Sequence, residues 1–104
     1  MGTANLEFVF EPTSVAVIGA SEQEGSVGRI LVENLTRGEF SGKIYPVNPG
    51  YEQVLGYPAY GSIAQAPERV DLAVIAVPIE KVPQIVSECA SAGVRGVVVT
   101  SAGG

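Results

Sequence analysis

The sequence predicts an α/β fold in which an open parallel β-sheet carries helices on both faces. Three short apolar runs are the main evidence: residues 15–18 ("VAVI"), 72–77 ("LAVIAV") and 94–100 ("VRGVVVT"). They are rich in β-branched residues and do not alternate with polar ones, which is typical of strands covered on both faces. Segments with helical periodicity separate the runs, so the chain has the strand–helix alternation of a doubly wound, Rossmann-like sheet.

Two helices are predicted from apolar residues that recur at helical spacing. After the first strand, Ser26 is the expected N-cap of a helix that ends at Gly38. After the third strand, Pro83 fits the first turn of a second helix, which ends at Gly93. The apolar stripes consist of Val27, Ile30, Leu31 and Leu35 in the first helix and of Val82, Ile85, Val86, Cys89 and Ala90 in the second.

The middle of the chain predicts a weaker strand followed by an irregular crossover. Residues 43–48 ("KIYPVN") form this strand, which we expect to end near Pro46 because proline cannot donate a hydrogen bond to a ladder. Residues 51–67 are dense in Gly, Pro and Tyr, and they predict a turn, a brief strand and one helical turn around residues 62–65.

The expected domain organisation is a lead-in segment, residues 1–12, followed by one domain, residues 13–104. The last predicted strand is followed only by "SAGG", where folds of this kind normally continue into another helix. We therefore expect the domain to be truncated at its C-terminus. An edge exposed near residues 94–100 would allow self-association, so a homo-oligomer is one expectation.

Composition and charge exclude several classes of partner. The net charge is −5 and the six basic residues are scattered singly, whereas a nucleic-acid surface needs clustered Lys and Arg. No apolar run approaches the roughly 18–20 residues of a membrane span, and the first residues show no signal-peptide pattern. A cytoplasmic protein that contacts neither nucleic acid nor membrane is expected.

The chain contains no histidine and a single cysteine, Cys89. Without imidazole, the usual side chain for general-base, phosphoryl-relay and metal chemistry is missing. One cysteine cannot form an internal disulfide or a Cys-based metal cluster, and its place on a predicted apolar stripe favours a core residue. Any chemistry in this chain would have to use carboxylates, Ser, Tyr, Lys or Cys89, and we predict no catalytic residue and no metal ligand.

Ligands of open α/β sheets bind beyond the carboxyl ends of the strands. Four segments are expected there: residues 19–28, 47–50, 77–80 and 100–104. The first contains Gly19, Gly25 and Gly28 before a helix, and glycines let the backbone approach an anion at a helix N-terminus. A simple tight turn is the alternative, but the length and polarity of the loop favour a phosphate site.

This first loop departs from the dinucleotide-binding pattern. Ser21 takes the place of the second glycine in G-x-G-x-x-G, and the loop is longer than that pattern requires. The second strand is followed by Asn48 and Pro49, where NAD-binding sheets carry a carboxylate for the ribose hydroxyls. Both departures point away from NAD, and the lack of a Gly-Lys-Ser/Thr sequence excludes a Walker-type loop.

Other candidate residues lie outside this loop, and some of them allow two interpretations. Lys43 and Arg29 are the basic residues nearest to the loop, and Lys43 is either a solvated lysine or a point charge for a phosphate monoester. Val77 and Pro78 form either an apolar wall for a ligand or a plain strand terminator. Residues 101–103 offer small side chains and backbone N–H groups beside which a ligand chain could pass.

Four motifs follow one another in order, each at a predicted strand end: "VAVIGASEQEGSVGR", "GKIYPVNPGYEQVLGYPAY", "DLAVIAVP" and "GVVVTSAG". Together they resemble the N-terminal coenzyme A-binding domain of the NDP-forming acyl-CoA synthetases. These enzymes are relatives of the succinyl-CoA synthetase α subunit and include the ADP-forming acetyl-CoA synthetases. The resemblance covers about residues 10–103.

The resemblance implies a CoA site assembled at the strand ends. Residues 21–27 would surround the phosphates and the start of the pantetheine arm, and Lys43 would meet the phosphate of the adenosine end. Residues 47–49 would border the nucleotide, residues 77–78 would line the pantetheine channel, and residues 100–102 would lie toward the thiol. The complete predicted set is Gly19, Ala20, Ser21, Gly25, Ser26, Val27, Lys43, Val47, Asn48, Pro49, Val77, Pro78, Thr100, Ser101 and Ala102.

The resemblance also implies that this chain holds CoA or acyl-CoA for a reaction completed elsewhere. In the family, a histidine of a later domain carries phosphate and a nucleotide-grasp domain transfers it, and this chain has no histidine. The expected function is the CoA-binding domain of a synthetase that converts acid, CoA and NTP into acyl-CoA, NDP and phosphate. It would be inactive without its partner domains or subunit. Gly104 departs from the aromatic residue that usually follows "SAG".

Two alternatives stay open at this stage. The domain also resembles the CoA-sensing front end of multidomain protein acetyltransferases, so it could be a regulatory or standalone CoA-binding module. The polypeptide that follows residue 104 would distinguish this module from a synthetase. A Rossmann fragment that binds NAD(P) is the third hypothesis, which Asn48 and the missing second glycine disfavour.

Overall fold

A computed structural model describes residues 12–38 and 40–100 of the protein. In chain order, the strands are β1 (Ser14–Ile18), β2 (Lys43–Val47), β3 (Gln53–Val54), β4 (Tyr57–Pro58), β5 (Leu72–Ile75) and β6 (Gly96–Val99), and the α-helices are α1 (Val27–Arg37) and α2 (Val82–Ser91). Two short 3₁₀ helices, Ile63–Gln65 and Ile79–Lys81, precede β5 and α2. The expected lead-in segment, residues 1–12, lies almost entirely outside the described residues.

Four parallel strands form the central sheet in the order β2-β1-β5-β6. The register of β1 and β2 places Ser14 beside Lys43 and Ile18 beside Val47. Because all four strands run in the same direction, their carboxyl ends meet at one edge of the sheet. The predicted open parallel sheet is confirmed. β2 continues one residue beyond Pro46, which an edge strand tolerates.

The two helices cover opposite faces of this sheet. All five residues of β1 are buried, and successive residues of a strand point to opposite faces. Val17 belongs to the apolar cluster that contains Val32 of α1, whereas Ala16 belongs to the cluster that contains Cys89 of α2. The predicted arrangement of helices on both faces is therefore confirmed.

The helix ends follow the local sequence. The Ser26 side chain accepts a hydrogen bond from the backbone N–H of Arg29 over 3.2 Å, so Ser26 caps α1 as predicted, and Gly38 ends it. In α2, Pro83 lies in the first turn, where a missing N–H costs nothing. Gly93 follows the helix with a φ of 77°, a left-handed conformation that favours glycine.

The start of α1 lies against the end of β1. Gly19 has a φ of 97°, and a Cβ atom at Gly28 would collide with the carbonyl group of Gly19. Both sides of this contact are backbone, so a side chain at position 28 could be accommodated only by moving the helix. The contact holds the N-terminus of α1 at the carboxyl end of β1.

The segment between β2 and β5 forms a two-stranded hairpin and a helical turn that pack against the central sheet. β3 and β4 pair antiparallel around a turn at Leu55 and Gly56, and Tyr60 forms an isolated bridge with Val47. The 3₁₀ helix that follows confirms the helical turn predicted around residues 62–65. A two-stranded hairpin takes the place of the single brief strand that the sequence indicated.

β6 differs from the other strands of the sheet in its exposure. Val97, Val98 and Val99 expose 38%, 42% and 46% of their surface. Because successive residues point to opposite faces, this edge strand is open on both faces, and the expected burial on both faces is wrong for it. Self-association through this edge stays a prediction.

Candidate functional site

A cavity of about 460 Å³ lies at the carboxyl ends of β1, β2 and β5. Six residues of the predicted set line it together: Gly19, Val47, Asn48, Pro49, Val77 and Pro78. The sequence predicted these residues in three separate loops, and the parallel sheet brings the loops to one edge. Their position agrees with the rule that ligands of open α/β sheets bind beyond the strand ends.

A second, larger groove of about 650 Å³ runs between α2 and the segment of residues 62–69. Its lining contains no strand-end residue, although it shares Ser62 and Glu88 with the smaller cavity. We take the smaller cavity as the candidate site because three strand ends converge on it.

The loop between β1 and α1 is tied to this cavity by Asn48. The side-chain amide of Asn48 donates a hydrogen bond to the carbonyl oxygen of Ala20 over 2.8 Å, and its oxygen accepts one from the backbone N–H of Gly50 at 2.8 Å. The backbone N–H of Gly19 also donates to the carbonyl oxygen of Val47 over 2.9 Å. The loops after β1 and β2 are therefore fixed to each other.

The other predicted residues of this loop lie beside the cavity and are not among its lining residues. The hydroxyl groups of Ser21 and Tyr51 are 3.2 Å apart, and the Ser21 oxygen also accepts the backbone N–H of Gln23 over 2.9 Å. Gly25 has a φ of 85° and open space around its Cα, and Ser26 and Val27 begin α1. The loop thus turns from the strand end directly into the helix.

Thr100 follows β6 and lies beside the end of β5. Both its backbone N–H and its hydroxyl donate hydrogen bonds to the carbonyl oxygen of Ile75, over 3.0 and 2.9 Å. Thr100 does not line the cavity. The predicted residues Ser101 and Ala102 lie outside the described residues.

Lys43 lies at the opposite end of β2. It is the first residue of the strand and stands beside Ser14, whereas the cavity is formed at Val47, four residues and about 13 Å further along. Its side chain is 75% exposed, and its ammonium group is 3.8 Å from a carboxylate oxygen of Glu68. The structure does not bring Lys43 together with the other predicted residues, and a phosphate contact for it stays a prediction.

Glu68 also accepts a hydrogen bond from the hydroxyl of Tyr45. Burial, together with this bond and the negative charge of Glu68, raises the pKa of Tyr45 to about 12. The aromatic rings of Tyr45 and Tyr60 meet edge to face, with centroids 5.9 Å apart. These contacts give Tyr45 a packing role, as the sequence reading favoured for the tyrosines.

Arg29, the second basic candidate, is engaged within its own helix and loop. Its Nε donates to the carboxylate of Glu33 over 2.9 Å, and its Nη1 donates to the carbonyl oxygen of Glu22 over 2.6 Å. The hydrogen bond with Glu33 raises the pKa of Arg29, and the same bond lowers the pKa of the Glu33 carboxyl group.

The basic side chain that lines the cavity is Lys81, which the sequence reading missed. It ends the 3₁₀ helix Ile79–Lys81, three residues beyond Pro78. Lys81 directly follows residues 77–80, the strand-end segment predicted after the third strand, so the strand-end rule reaches it when that segment is extended by one residue. Gly61, Ser62 and Ala76 also line the cavity and were also missed.

The chemistry of the cavity is that of a binding site. Lys81 and Glu88 are its ionisable lining residues, and the rest of the lining is backbone, apolar side chains, an amide and a hydroxyl. Cys89 is fully buried in the core, as predicted, and burial raises the pKa of its thiol, which disfavours the nucleophilic thiolate. Within residues 12–38 and 40–100 there is no group of three His, Cys, Asp or Glu side chains suited to a metal ion.

Neither helix of the described segments has the length and apolarity that crossing a membrane requires. The fold defines a Rossmann-like α/β domain with a candidate ligand site at the strand ends. The chain belongs to the CoA-binding domain family, whose model matches residues 13–103. This membership agrees with the resemblance seen in the sequence and speaks against an NAD(P)-binding fragment.

Several relatives are ADP-forming acetate–CoA ligases. The chain is 52% identical over 98 residues to acetate–CoA ligase [ADP-forming] I of Archaeoglobus fulgidus. The aligned region is 94% of this chain and 14% of that relative. It is 44% identical over 103 residues to the α subunit of acetate–CoA ligase [ADP-forming] I of Pyrococcus furiosus, covering 95% of this chain and 22% of that subunit. The chain thus spans a small part of the length of these relatives.

Solved structures show the same fold. A dinucleotide-forming acetyl-coenzyme A synthetase 1 of Candidatus Korarchaeum cryptofilum, in complex with phosphate and ADP, superposes with a TM-score of 0.83 at 39% identity, over 86% of this chain and 19% of that one. A conserved hypothetical protein of Pyrococcus furiosus superposes with a TM-score of 0.77 at 29% identity, over 86% of this chain and 76% of that one. The chain is therefore a CoA-binding domain homologous to part of the ADP-forming acetyl-CoA synthetases.

Proposed function

We propose that this chain binds CoA or acyl-CoA in the 460 Å³ cavity, as the CoA-holding part of an NDP-forming acyl-CoA synthetase. The observation that carries the proposal is the convergence of six predicted residues from three loops on one cavity, in a member of the CoA-binding domain family. The volume lies within the roughly 300–1,000 Å³ that small-molecule sites occupy.

The lining combines apolar and polar groups suited to the different parts of CoA, and its two ionisable side chains, Lys81 and Glu88, are of opposite charge. Gly19 lines the cavity with its backbone, and a Cβ atom there would collide with the carbonyl group of Ala76. Val77 and Pro78 supply an apolar wall for a pantetheine arm. Asn48 supplies a polar edge, and Lys81 supplies a positive charge for a phosphate group. The N-terminus of α1 lies beside the same strand end, where its dipole favours an anion.

The chain would hold CoA while other parts of a synthetase perform the chemistry. It has no histidine for a phosphoryl relay, and it spans 14% of a single-chain relative and 22% of an α subunit. We propose that its partners are the remaining domains or subunit, which would activate the acid and form the thioester. The cytoplasmic location expected from the sequence is part of this proposal.

Calorimetric titration with CoA and with NADH tests the binding step. We expect saturable binding of CoA and none of NADH, and the reverse pattern would overturn the proposal. Val77→Phe narrows only the candidate cavity, whereas Ser87→Phe narrows only the larger groove beside α2. Loss of CoA binding in the first variant but not in the second would assign the ligand to the cavity, and the opposite result would exclude it.

A standalone or regulatory CoA-binding module is the second candidate function. It is favoured by the hypothetical protein of Pyrococcus furiosus, of whose chain this domain covers 76%. A sensor of acylation must bind CoA and acetyl-CoA with different affinities, whereas a synthetase domain handles one as substrate and the other as product. Titrations that give equal affinities for the two would count against the sensor.

A further inference from the structure

The turn of the β3–β4 hairpin has an unusual backbone. Leu55 has a φ of 51° and the next residue, Gly56, a φ of 89°. Two-residue hairpin turns with both φ angles positive favour Asn-Gly or Asp-Gly, and a bulky leucine rarely adopts this conformation. Backbone strain of this kind persists only where the surrounding structure holds it, and it often marks a functional site.

Two contacts hold Leu55 in place. Its side chain packs against the apolar cluster that includes Val15, Val17 and Val32, and its backbone N–H donates a hydrogen bond to a carboxylate oxygen of Glu22 over 2.9 Å. Glu22 belongs to the loop between β1 and α1, 33 residues earlier in the chain. The hairpin and the candidate ligand loop are therefore joined at the strained residue.

Glu22 accepts hydrogen bonds at both its carboxylate and its backbone carbonyl oxygen. Its carbonyl oxygen accepts a hydrogen bond from Arg29, a residue of α1, over 2.6 Å. One residue earlier, the hydroxyl groups of Ser21 and Tyr51 lie 3.2 Å apart, which adds a second contact between the loop and the segment that leads into the hairpin. The loop is thus held between α1 on one side and the hairpin on the other.

A carboxylate in this loop has an electrostatic cost if the loop faces phosphate groups. Two like charges about 4 Å apart repel by roughly 1 kcal/mol even in water, and by more near a protein surface. Removing a carboxylate from the loop should therefore strengthen binding of a polyanion, unless that carboxylate has another task. For Glu22 the hydrogen bond from the N–H of Leu55 identifies such a task.

We propose that Glu22 is a positioning residue for the CoA site. By accepting the N–H of Leu55, its carboxylate fastens the hairpin to the loop of residues 20–26 and fixes the path of that loop into α1. The inference rests on the proposed binding of CoA at this edge of the sheet. It assigns the hairpin a function, because the hairpin supports the ligand loop from outside the cavity.

Three variants of the full chain test the proposal by titration with CoA. Glu22→Ala should weaken CoA binding by up to about tenfold, because losing one hydrogen bond to a charged group lowers the population of the correctly placed loop by at most about that factor. Glu22→Gln should restore most of the affinity, because the amide oxygen still accepts the N–H of Leu55. Glu52→Ala is the matched control, since Glu52 is an exposed carboxylate beside the hairpin and outside the ligand loop, and its loss should leave the affinity unchanged.

Amide hydrogen exchange without ligand gives a second readout. Glu22→Ala should speed amide exchange at Leu55 and in residues 20–26, whereas Glu52→Ala should not. Equal effects of the two alanine variants on affinity, or no change in exchange for Glu22→Ala, would overturn the positioning role. Failure of the wild-type chain to bind CoA would instead overturn the proposed function, and the exchange data would still decide whether Glu22 holds the loop.

Discussion

The side-chain amide of Asn48 donates a hydrogen bond to the carbonyl oxygen of Ala20 over 2.8 Å, so the residue after β2 is joined to the loop after β1. Its oxygen accepts the backbone N–H of Gly50, which fixes the orientation of the amide. NAD-binding sheets carry a carboxylate at the end of this strand. A carboxylate has no hydrogen to donate, and here it would face the carbonyl oxygen of Ala20. Position 48 therefore requires an amide side chain, which both donates and accepts a hydrogen bond here.

Asn48→Asp should destabilise the protein, because it replaces the donor of this bond with a charged acceptor. The expected loss in the free energy of unfolding is about 1–3 kcal/mol, the cost of leaving a part-buried polar group without its partner. Urea denaturation measures this loss of stability, and the affinity for CoA should fall in the same variant. Asn34→Asp is the control: Asn34 is exposed on α1, and its substitution should change stability by less than about 0.5 kcal/mol. Equal losses in both variants would contradict this account of Asn48.

Gly28→Ala should be costly because the added Cβ would collide with the carbonyl group of Gly19. Overpacking of this kind costs roughly 1–3 kcal/mol, and here both groups are backbone and cannot rotate away. Gly25→Ala is the matched control, since no atom lies within 4 Å of a Cβ at Gly25 and only its left-handed φ of 85° adds a cost, of about 1–2 kcal/mol. Thermal unfolding should show the larger loss at Gly28, with CoA affinity reduced as α1 shifts. A larger loss at Gly25 would mean that the helix start is not set by this contact.

The parts of the fold that the sequence predicted are those that depend on burial and local chemistry. Runs of apolar residues identified the strands because both faces of β1 and β5 are covered to a large extent, and Ser26 identified the start of α1 because its cap is made within three residues. The strand-end rule then placed Gly19, Asn48 and Pro78 at one edge. Each of these inferences needs only a few neighbouring residues.

The parts of the candidate site that the sequence did not predict depend on contacts between residues far apart in the chain. Gly61 and Ser62 reach the cavity because the backbone of Tyr60 pairs with that of Asn48 and Pro46, and no periodicity in residues 51–67 reveals such pairing. The residues alone left Lys43 as either a solvated lysine or a phosphate contact, and the family resemblance favoured the second. The register of β2 places Lys43 at the amino end of the strand, one strand length from the cavity.

Asp71 links the start of β5 to the residue before β1. Its carboxylate accepts hydrogen bonds from the backbone N–H and the hydroxyl of Thr13, over 2.8 and 2.7 Å, and lies 3.3 Å from the guanidinium of Arg95. Burial by itself raises the pKa of this carboxyl group. The two hydrogen bonds from Thr13 and the positive charges of Arg95 and Arg69 outweigh it, and the pKa of Asp71 is lowered.

A lowered pKa in the folded state means that Asp71 contributes stability above the ordinary pKa of about 3.9 and loses that contribution as pH falls through the folded value. Asp71→Asn should therefore destabilise the protein by about 1.5–3 kcal/mol at pH 7, the worth of hydrogen bonds to a charged group. The difference from wild type should shrink as pH falls below about 4. Denaturation at several pH values measures this, with the exposed Glu52→Gln as control. A difference that stays constant down to pH 2 would show that the ionised form of Asp71 is not what stabilises the fold.

Lys81 and Lys43 offer a direct comparison between the site seen in the structure and the site implied by the family resemblance. Lys81 lines the cavity at the strand ends, whereas Lys43 lies at the far end of β2 beside Glu68. If CoA binds in the cavity, Lys81→Ala should weaken it about tenfold through the loss of one charge-assisted contact with a phosphate, and Lys43→Ala should change it less than about twofold. Calorimetric titration of both variants with CoA and with dephospho-CoA shows which lysine contacts the ligand and which phosphate it contacts. A loss for CoA alone in Lys81→Ala would assign Lys81 to the 3′-phosphate, and equal losses for both ligands would assign it to the pyrophosphate. A loss confined to Lys43→Ala would instead support the contact between Lys43 and the phosphate of the adenosine end that the resemblance implied, and would count against a phosphate contact for Lys81.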